Sequence, residues 1–150
     1  MRLRPAATSD VETLFDIRCS VTQNHESRAE LKAMGIDCES VCDMIESGDY
    51  CTLIAEIDER PAGFAMARIS EGYLFACFVR EEFEGQGVGK RLLSAVEEIL
   101  LQAGRQQAWL STDANPEFRA FGFYRHLGWT RAGDLENGEI RLVKKLSGKR

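Results

Sequence analysis

Apolar positions along the chain follow two different spacings, which separate predicted strands from predicted helices. A short strand near Leu3 comes first, and Ser9-Asp10-Val11-Glu12 has the form of a capping box that begins a helix. Residues 24–48 carry a weaker pattern, divided by Gly35, that predicts one or two short helices. Runs at 51–57, 62–69 and 73–79 favour β-structure and are separated by polar turns, so they predict a three-stranded antiparallel meander.

The second half of the chain alternates helix and strand. Its clearest helix has one apolar face and ends at Gly104; the face consists of Val88, Leu92, Leu93, Val96, Ile99, Leu100 and Ala103. Residues 107–112 form the next predicted strand, which completes a βαβ unit. Asn115 and Pro116 then precede a helix that Gly128 ends. Strands at 129–133 and 139–146 flank Asn137-Gly138, which predicts a type I′ hairpin turn.

Length and composition limit the class of protein. A chain of 150 residues can bury a substantial core, so we expect a single domain over residues 1–150 with an α/β fold, an α+β arrangement on a mixed sheet. No apolar run reaches the roughly 18 residues of a membrane span, and the start resembles no signal peptide, which predicts no membrane partner and a cytoplasmic location. The five cysteines form no CxxC pair, which predicts reduced thiols and no metal.

Acidic residues are concentrated in the first two thirds of the chain. Residues 1–50 hold ten acids and five bases, residues 51–100 nine and five, and residues 101–150 five and nine. This distribution argues against nucleic acid as the main partner. It suits a cationic small molecule or peptide, and it equally suits a solvated acidic face.

A glycine-rich segment separates the strand at 73–79 from the long helix. Gly85, Gly87 and Gly89 allow close approach of a ligand and turn backbone N–H groups toward the helix N-terminus, where anions are stabilised. Lys90 and Arg91 oppose the helix dipole in that first turn unless an anion is bound there. The segment therefore predicts a phosphate-bearing ligand.

Two nucleotide-binding motifs are excluded at this segment. A P-loop requires Gly at position 84 and Ser or Thr at position 91, where the chain has Glu84 and Arg91. The dinucleotide fingerprint requires Gly at position 90 or 92, where the chain has Lys90 and Leu92.

The segment instead resembles the pyrophosphate-binding loop of the GNAT superfamily of acyl-CoA-dependent N-acyltransferases. That pattern is Arg or Gln, two residues, Gly, one residue, and Gly or Ala. Gly87 and Gly89 match it, whereas Glu84 stands where Arg or Gln is usual. The departure concerns a side chain and leaves the backbone amides of the loop in place.

A second segment, Ala120 to Trp129, is similar to another motif of the same family. The shared features are Ala120, Tyr124 and the terminal Leu-Gly-aromatic at 127–129. The Asn usual three residues before the Ala would fall on Glu117, while Asn115 lies two positions earlier; it either contacts the cofactor or only caps the helix. The predicted element order, β-α-α-β-β-β-α-β-α-β-β, is that of the GNAT fold, so the resemblance spans nearly the whole chain.

The resemblance implies an N-acetyltransferase that moves an acetyl group from acetyl-CoA to a primary amine by direct attack in a ternary complex. Tyr124 would protonate the departing CoA thiolate, and the backbone of Phe78 and Val79 would hold the pantetheine arm. Asn115 is a further candidate for cofactor binding. The pyrophosphate would lie on the glycine loop, at Gly85, Gln86, Gly87, Val88, Gly89 and Lys90.

Several alternatives stay open. The general base is one of five candidates that spacing does not separate: Glu71, Tyr73, Asp113, His25 and Glu26. Cys77 suggests a covalent acyl-enzyme, but a strand thiol is also a small hydrophobic residue. The chain could instead be a non-catalytic acyl-CoA-binding sensor or regulatory module of the same fold. The identity of the amine, whether it is cationic, and whether the protein is a homodimer are not determined by the sequence.

Overall fold

A computed structural model describes residues 1–22, 25–113, 119–135 and 137–146. These contain one seven-stranded mixed sheet with strand order β1-β2-β3-β4-β5-β7-β6. The strands are β1 (Arg2–Pro5), β2 (Tyr50–Ile57), β3 (Arg60–Arg68), β4 (Tyr73–Val79), β5 (Gln107–Asp113), β6 (Thr130–Asp134) and β7 (Glu139–Lys145). Neighbouring strands are antiparallel except β4 and β5, which run parallel.

Helices cover both faces of the sheet. The described helices are α1 (Val11–Arg18), α2 (Arg28–Ala33), α3 (Cys38–Ser47), α4 (Val88–Gln102) and α5 (Arg119–His126). One core cluster joins α4 and α5 to the sheet through residues such as Leu92, Leu110 and Trp129. A second cluster joins α1, α2 and α3 to the opposite face, with Ile17 and Ile54 fully buried. The mixed α/β class expected from the sequence is confirmed.

The N-terminal elements differ in detail from the expectation. The predicted capping box at Ser9 and Glu12 is wrong, because α1 begins after Asp10 with no side-chain cap. The Asp10 carboxylate instead accepts the Ala7 N–H at 2.7 Å and binds the Arg4 guanidinium. Two short helices, α2 and α3, follow α1 on either side of Gly35, so the described residues contain one helix more than the predicted element order.

The type I′ turn also lies elsewhere than predicted. Such a turn needs positive φ at both central residues. Among the described non-glycine residues, positive φ occurs at Asp58 (52°) and Glu59 (66°), which form the two-residue loop between the paired Ile57 and Arg60. At the second hairpin the Gly138 N–H donates to Leu135 O at 3.2 Å, so Gly138 closes the turn instead of standing at its centre, and the predicted type I′ turn there is wrong.

The parallel strands β4 and β5 meet at one end of the sheet and separate toward the other. Within the described part of the two strands, Tyr73 pairs with Trp109, and the Trp109 N–H donates to Gly72 O at 2.9 Å. A Cβ at Gly72 would lie 2.6 Å from Gln107 O, so glycine permits this close approach. Further along, the register of β4 with β3 skips Phe75, which marks a β-bulge. The gap beyond the bulge is where the site forms.

Candidate active site

The glycine loop has a backbone that suits an anion. Gly85 and Gly87 both have φ of +81°, and Gly87 is the N-cap of α4. Glycine adopts this left-handed conformation without steric cost, and it directs successive amides toward one side. No side chain caps α4, and its first turn holds no acidic residue. The first amides of α4 are therefore open to an external anion.

Gly89 has an additional role that sequence reasoning missed. A Cβ at this position would lie 2.9 Å from Cζ of Phe123, so the absence of a side chain allows α5 to pack against the first turn of α4. Phe123 and Tyr124 are in edge contact, with ring centroids 5.3 Å apart. The loop thereby sets the position of α5 as well as the direction of its own amides.

A cavity of about 690 Å³ lies against the glycine loop. Its walls come from β4, the loop, the start of α4, and α5. Gln86 is exposed and is not among the lining residues, so of the predicted loop ligands its side chain has the weakest structural support. The predicted residues that line the cavity are Phe78, Val79, Gly85, Gly87, Val88, Gly89, Lys90 and Tyr124.

The two predicted strand residues present different groups to this cavity. The Arg80 N–H donates to Ala62 O of the neighbouring chain segment. Because hydrogen-bonded pairs alternate with non-hydrogen-bonded pairs in an antiparallel ladder, the N–H and C=O of Phe78 face Phe64 on β3. The N–H and C=O of Val79 point to the opposite edge, where β5 has separated. Val79 can therefore offer strand-like hydrogen bonds to a ligand in the gap, while Phe78 offers its side chain.

A second cavity, of about 320 Å³, lies on the other side of the gap. It is covered by α1, α2 and α3 and has largely apolar walls. The two cavities share five lining residues, which places their junction between β4, β5 and α5: Cys77, Phe78, Thr112, Ala120 and Tyr124. A ligand in each cavity can therefore meet its partner beside Tyr124.

Tyr124 is buried at this junction, with 9% of its surface exposed. Burial, and then the neighbouring Cys77, raise the pKa of its phenol well above the ordinary value of 10. The ring also contacts Trp129, with centroids 5.9 Å apart. Tyr124 therefore stays protonated at neutral pH, as a proton donor must.

The candidate bases are dispersed. Glu26 lines the smaller cavity, where its carboxylate accepts from Arg18 Nη2 at 2.8 Å. Glu71 pairs with Arg68 at 3.0 Å, Tyr73 stacks on Trp109 with centroids 4.0 Å apart, and neither lines a cavity. His25 bonds through Nδ1 to Val21 O at 2.9 Å. The Asp113 side chain and Asn115 fall outside the described residues.

Cys77 lies at the junction of the two cavities, where a nucleophile would be placed, but its thiol is not ionised at neutral pH. Burial raises the pKa of its thiol to about 12, so the thiolate is scarce at neutral pH. This favours direct transfer over an acyl-enzyme. Among the described residues, no group of three or more His, Cys, Asp or Glu side chains is arranged to hold a metal. None of the helices described is long and apolar enough to cross a membrane.

The sequence did not reveal the partner of Glu84. Arg119, at the start of α5, donates from Nη1 to Glu84 Oε1 at 2.8 Å, and both residues line the larger cavity. A cation therefore accompanies the acid that stands at the usual Arg or Gln position of the loop.

The chain belongs to the Acetyltransferase (GNAT) family, whose model matches residues 11–129. It is accordingly an acyltransferase that depends on acetyl-CoA as its cosubstrate, and the two sequence motifs identified this family correctly. A search among curated protein sequences gives no match.

Solved structures show the same fold at low sequence identity. The chain is similar to the PaiA N-acetyltransferase of Thermoplasma acidophilum in complex with coenzyme A, with a TM-score of 0.83, 21% identity, and coverage of 96% of this chain and 98% of the other. The chain is also similar to an aminoglycoside 6′-acetyltransferase type Ii, with a TM-score of 0.77, 19% identity, and coverage of 100% of each chain. For the ribosomal-protein-S18-alanine N-acetyltransferase of Escherichia coli the TM-score is 0.75 and the identity 16%, with coverage of 99% of this chain and 96% of the other.

Proposed function

We propose that this protein transfers the acetyl group of acetyl-CoA to a primary amine by direct attack in a ternary complex. The observation that carries the proposal is the junction of two cavities at the β4–β5 gap beside Tyr124. The larger cavity adjoins the anion-binding loop and suits the cofactor. The smaller one, covered by α1, α2 and α3, suits the acceptor.

Each chemical requirement of the transfer has a candidate in the chain. Amides of Gly87 to Lys90 bind pyrophosphate, and the backbone of Val79 orients the pantetheine arm and polarises the thioester carbonyl. As the amine nitrogen bonds to the carbonyl carbon, the C–S bond breaks and its electron pair stays on sulfur. The Tyr124 hydroxyl then gives its proton to that sulfur, and the proton lost by the amine leaves through water.

The acceptor reaches the site as an ammonium ion and loses its proton on entry. Ten acids against five bases in residues 1–50 support electrostatic attraction of such a cation. Its apparent KM is expected to rise with added salt, because screening weakens that attraction. The five unpaired cysteines support a reducing compartment, which we propose to be the cytoplasm.

A release assay tests the proposal. Free CoA thiol is measured with acetyl-CoA and a panel of amines, with each amine omitted in turn to give the hydrolytic background. Amine-dependent release together with an N-acetylated product in the mass spectrum is the expected result. Tight CoA binding without release for any amine in the panel would contradict the proposed reaction.

A further inference from the structure

The walls of the smaller cavity are mostly apolar, so they suit the hydrocarbon part of an amine acceptor, which we call its body, rather than only its amino group. Side chains from four packed elements and from β4 enclose it, and most of them are hydrocarbon: Leu14, Phe15, Leu31, Met44, Met66 and Phe75. Leu14, Phe15, Leu31 and Met66 belong to the buried core of this face. The volume of about 320 Å³ falls at the lower end of the range of roughly 300–1,000 Å³ typical of small-molecule sites.

The charged groups described at this cavity are one ion pair and one further carboxylate. Glu26 is paired with Arg18 at 2.8 Å, and the two side chains are 31% and 12% exposed. The Arg18 guanidinium also lies 4.3 Å from the centroid of the Phe78 ring, a cation–π contact. Among the described lining residues, the remaining acid is Glu139, which belongs to β7 rather than to the helices that cover the cavity; its Oε1 accepts from the neutral Asn137 Nδ2 at 3.1 Å.

On the walls formed by residues 11–47, Glu26 is the one acid among the described lining residues, and Arg18 already pairs with it. A second ammonium group held against those walls would lose its hydration beside a carboxylate that is already paired, which is unfavourable. A hydrocarbon chain in the same place would displace water from apolar surface, which is favourable. The acidic residues of the N-terminal half therefore attract an ammonium ion, but the cavity selects what the amine is attached to.

We propose that the acceptor is a small monoamine with an apolar body, so that the body fills the cavity among α1, α2 and α3 while the amino group reaches the junction beside Tyr124. This assignment rests on the proposed acetyl transfer and names its substrate class. Diamines and polyamines, in which a second ammonium would have to enter the apolar cavity, are poor acceptors by the same argument.

A matched pair of amines tests the assignment. Hexylamine and 1,5-diaminopentane have the same number of non-hydrogen atoms and differ at the far end, a methyl group against an ammonium. We expect kcat/KM for hexylamine to exceed that for the diamine by tenfold or more, and the same order in calorimetric titrations of the CoA-saturated protein. Equal values, or a preference for the diamine, would overturn the assignment.

The binding titration separates this assignment from the reaction itself. If hexylamine binds more tightly than the diamine but neither is acetylated, the apolar acceptor site stands and the proposed reaction fails. If both are acetylated and the diamine is preferred, the reaction stands and the assignment fails. An apolar N-terminal peptide in the same panel shows whether larger acceptors enter; acetylation of the peptide in preference to hexylamine would also overturn the assignment.

A variant pair locates the apolar body in the cavity. Met44→Glu introduces a carboxylate into the wall, and Met44→Gln has nearly the same shape without the charge. We expect the hexylamine to diamine ratio to fall at least fivefold in the first and to stay within twofold in the second. Unchanged ratios in both folded variants would place the amine chain elsewhere. Should Met44→Glu fail to fold, the wild-type comparison decides by itself.

Discussion

Arg119 and Glu84 face one another at the larger cavity, with Arg119 Nη1 2.8 Å from Glu84 Oε1. Their side chains are 63% and 35% exposed, so water screens the pair and its contribution to folding is small, about 0–1 kcal/mol. The pair places a cation beside Glu84 at the glycine loop, where we propose that pyrophosphate binds. Glu84 thus has a structural partner at the position where related loops carry Arg or Gln.

Removing the cation should expose that acid. We expect Arg119→Gln to raise the Kd for CoA roughly five- to tenfold, about 1 kcal/mol, because the Glu84 carboxylate would then repel the phosphates uncompensated. Glu84→Gln in the same background should recover part of the loss. Calorimetric CoA titrations of the two single variants and the double variant measure the coupling. Additive effects, with no recovery in the double variant, would contradict it.

The left-handed backbone of the loop gives a second prediction. Gly87 has φ of +81° and Gly104, at the far end of α4, has φ of +90°; neither has an atom within 4 Å of an added Cβ. Gly87→Val and Gly104→Val should therefore cost similar stability through backbone strain, about 1–2 kcal/mol each. Only Gly87→Val should also weaken CoA binding, by tenfold or about 1.4 kcal/mol. Equal CoA affinity in the two variants would remove Gly87 from the binding site.

Local signals explain which parts of this molecule were predictable. The strand at residues 73–79 has the predicted limits, and α4 begins at Val88 as its apolar period indicates. Glycines at 85 and 87 adopt the positive φ that only glycine takes readily. In each case the deciding interaction lies within a few residues, so a single sequence contains it.

Relationships that depend on the tertiary fold could not be predicted. Glu84 and Arg119 are 35 positions apart, and their contact depends on how α5 packs over α4. Asp10 serves Arg4 and the Ala7 N–H instead of the predicted capping box, because β1 places Arg4 within reach. Tertiary packing also decides which of the candidate bases lines a cavity. Spacing along the chain does not contain that information.

Alkaline pH provides a third prediction, from Cys77. Burial raises the pKa of its thiol from about 9 to about 12 in the folded protein. Above pH 9 the unfolded chain releases this proton while the folded protein retains it, so stability falls by up to about 1.4 kcal/mol per pH unit until about pH 12. Cys77→Ala should remove this component. Urea unfolding of both proteins at pH 7, 8, 9 and 10 measures it.

The loss of packing in Cys77→Ala lowers the free energy of unfolding by an amount that does not depend on pH. The difference between the two proteins at pH 7 and 8 gives that amount. The stability difference between wild type and Cys77→Ala should then shrink from pH 9 to pH 10. A difference that stays constant over the whole range would mean that the Cys77 thiol is more accessible to water than its surroundings indicate.

Tyr124→Phe isolates the proton donor. The substitution keeps the ring and its edge contacts with Phe123 and Trp129, so stability and CoA affinity should change little. Loss of the hydroxyl should lower kcat by roughly 10²-fold, since the departing thiolate would lack its general acid. Because the pKa of Tyr124 is raised well above 10, wild-type kcat should show no decline from its ionisation between pH 7 and 10.

Tyr73→Phe is the matched control, because it removes a hydroxyl from a residue that stacks on Trp109 and lines neither cavity. Its kcat should stay close to that of wild type. Steady-state rates for wild type and both variants, with one amine over the full pH range, distinguish the two roles. If Tyr124→Phe also retains wild-type kcat, Tyr124 is a packing residue, and water at the junction of the two cavities must protonate the thiolate.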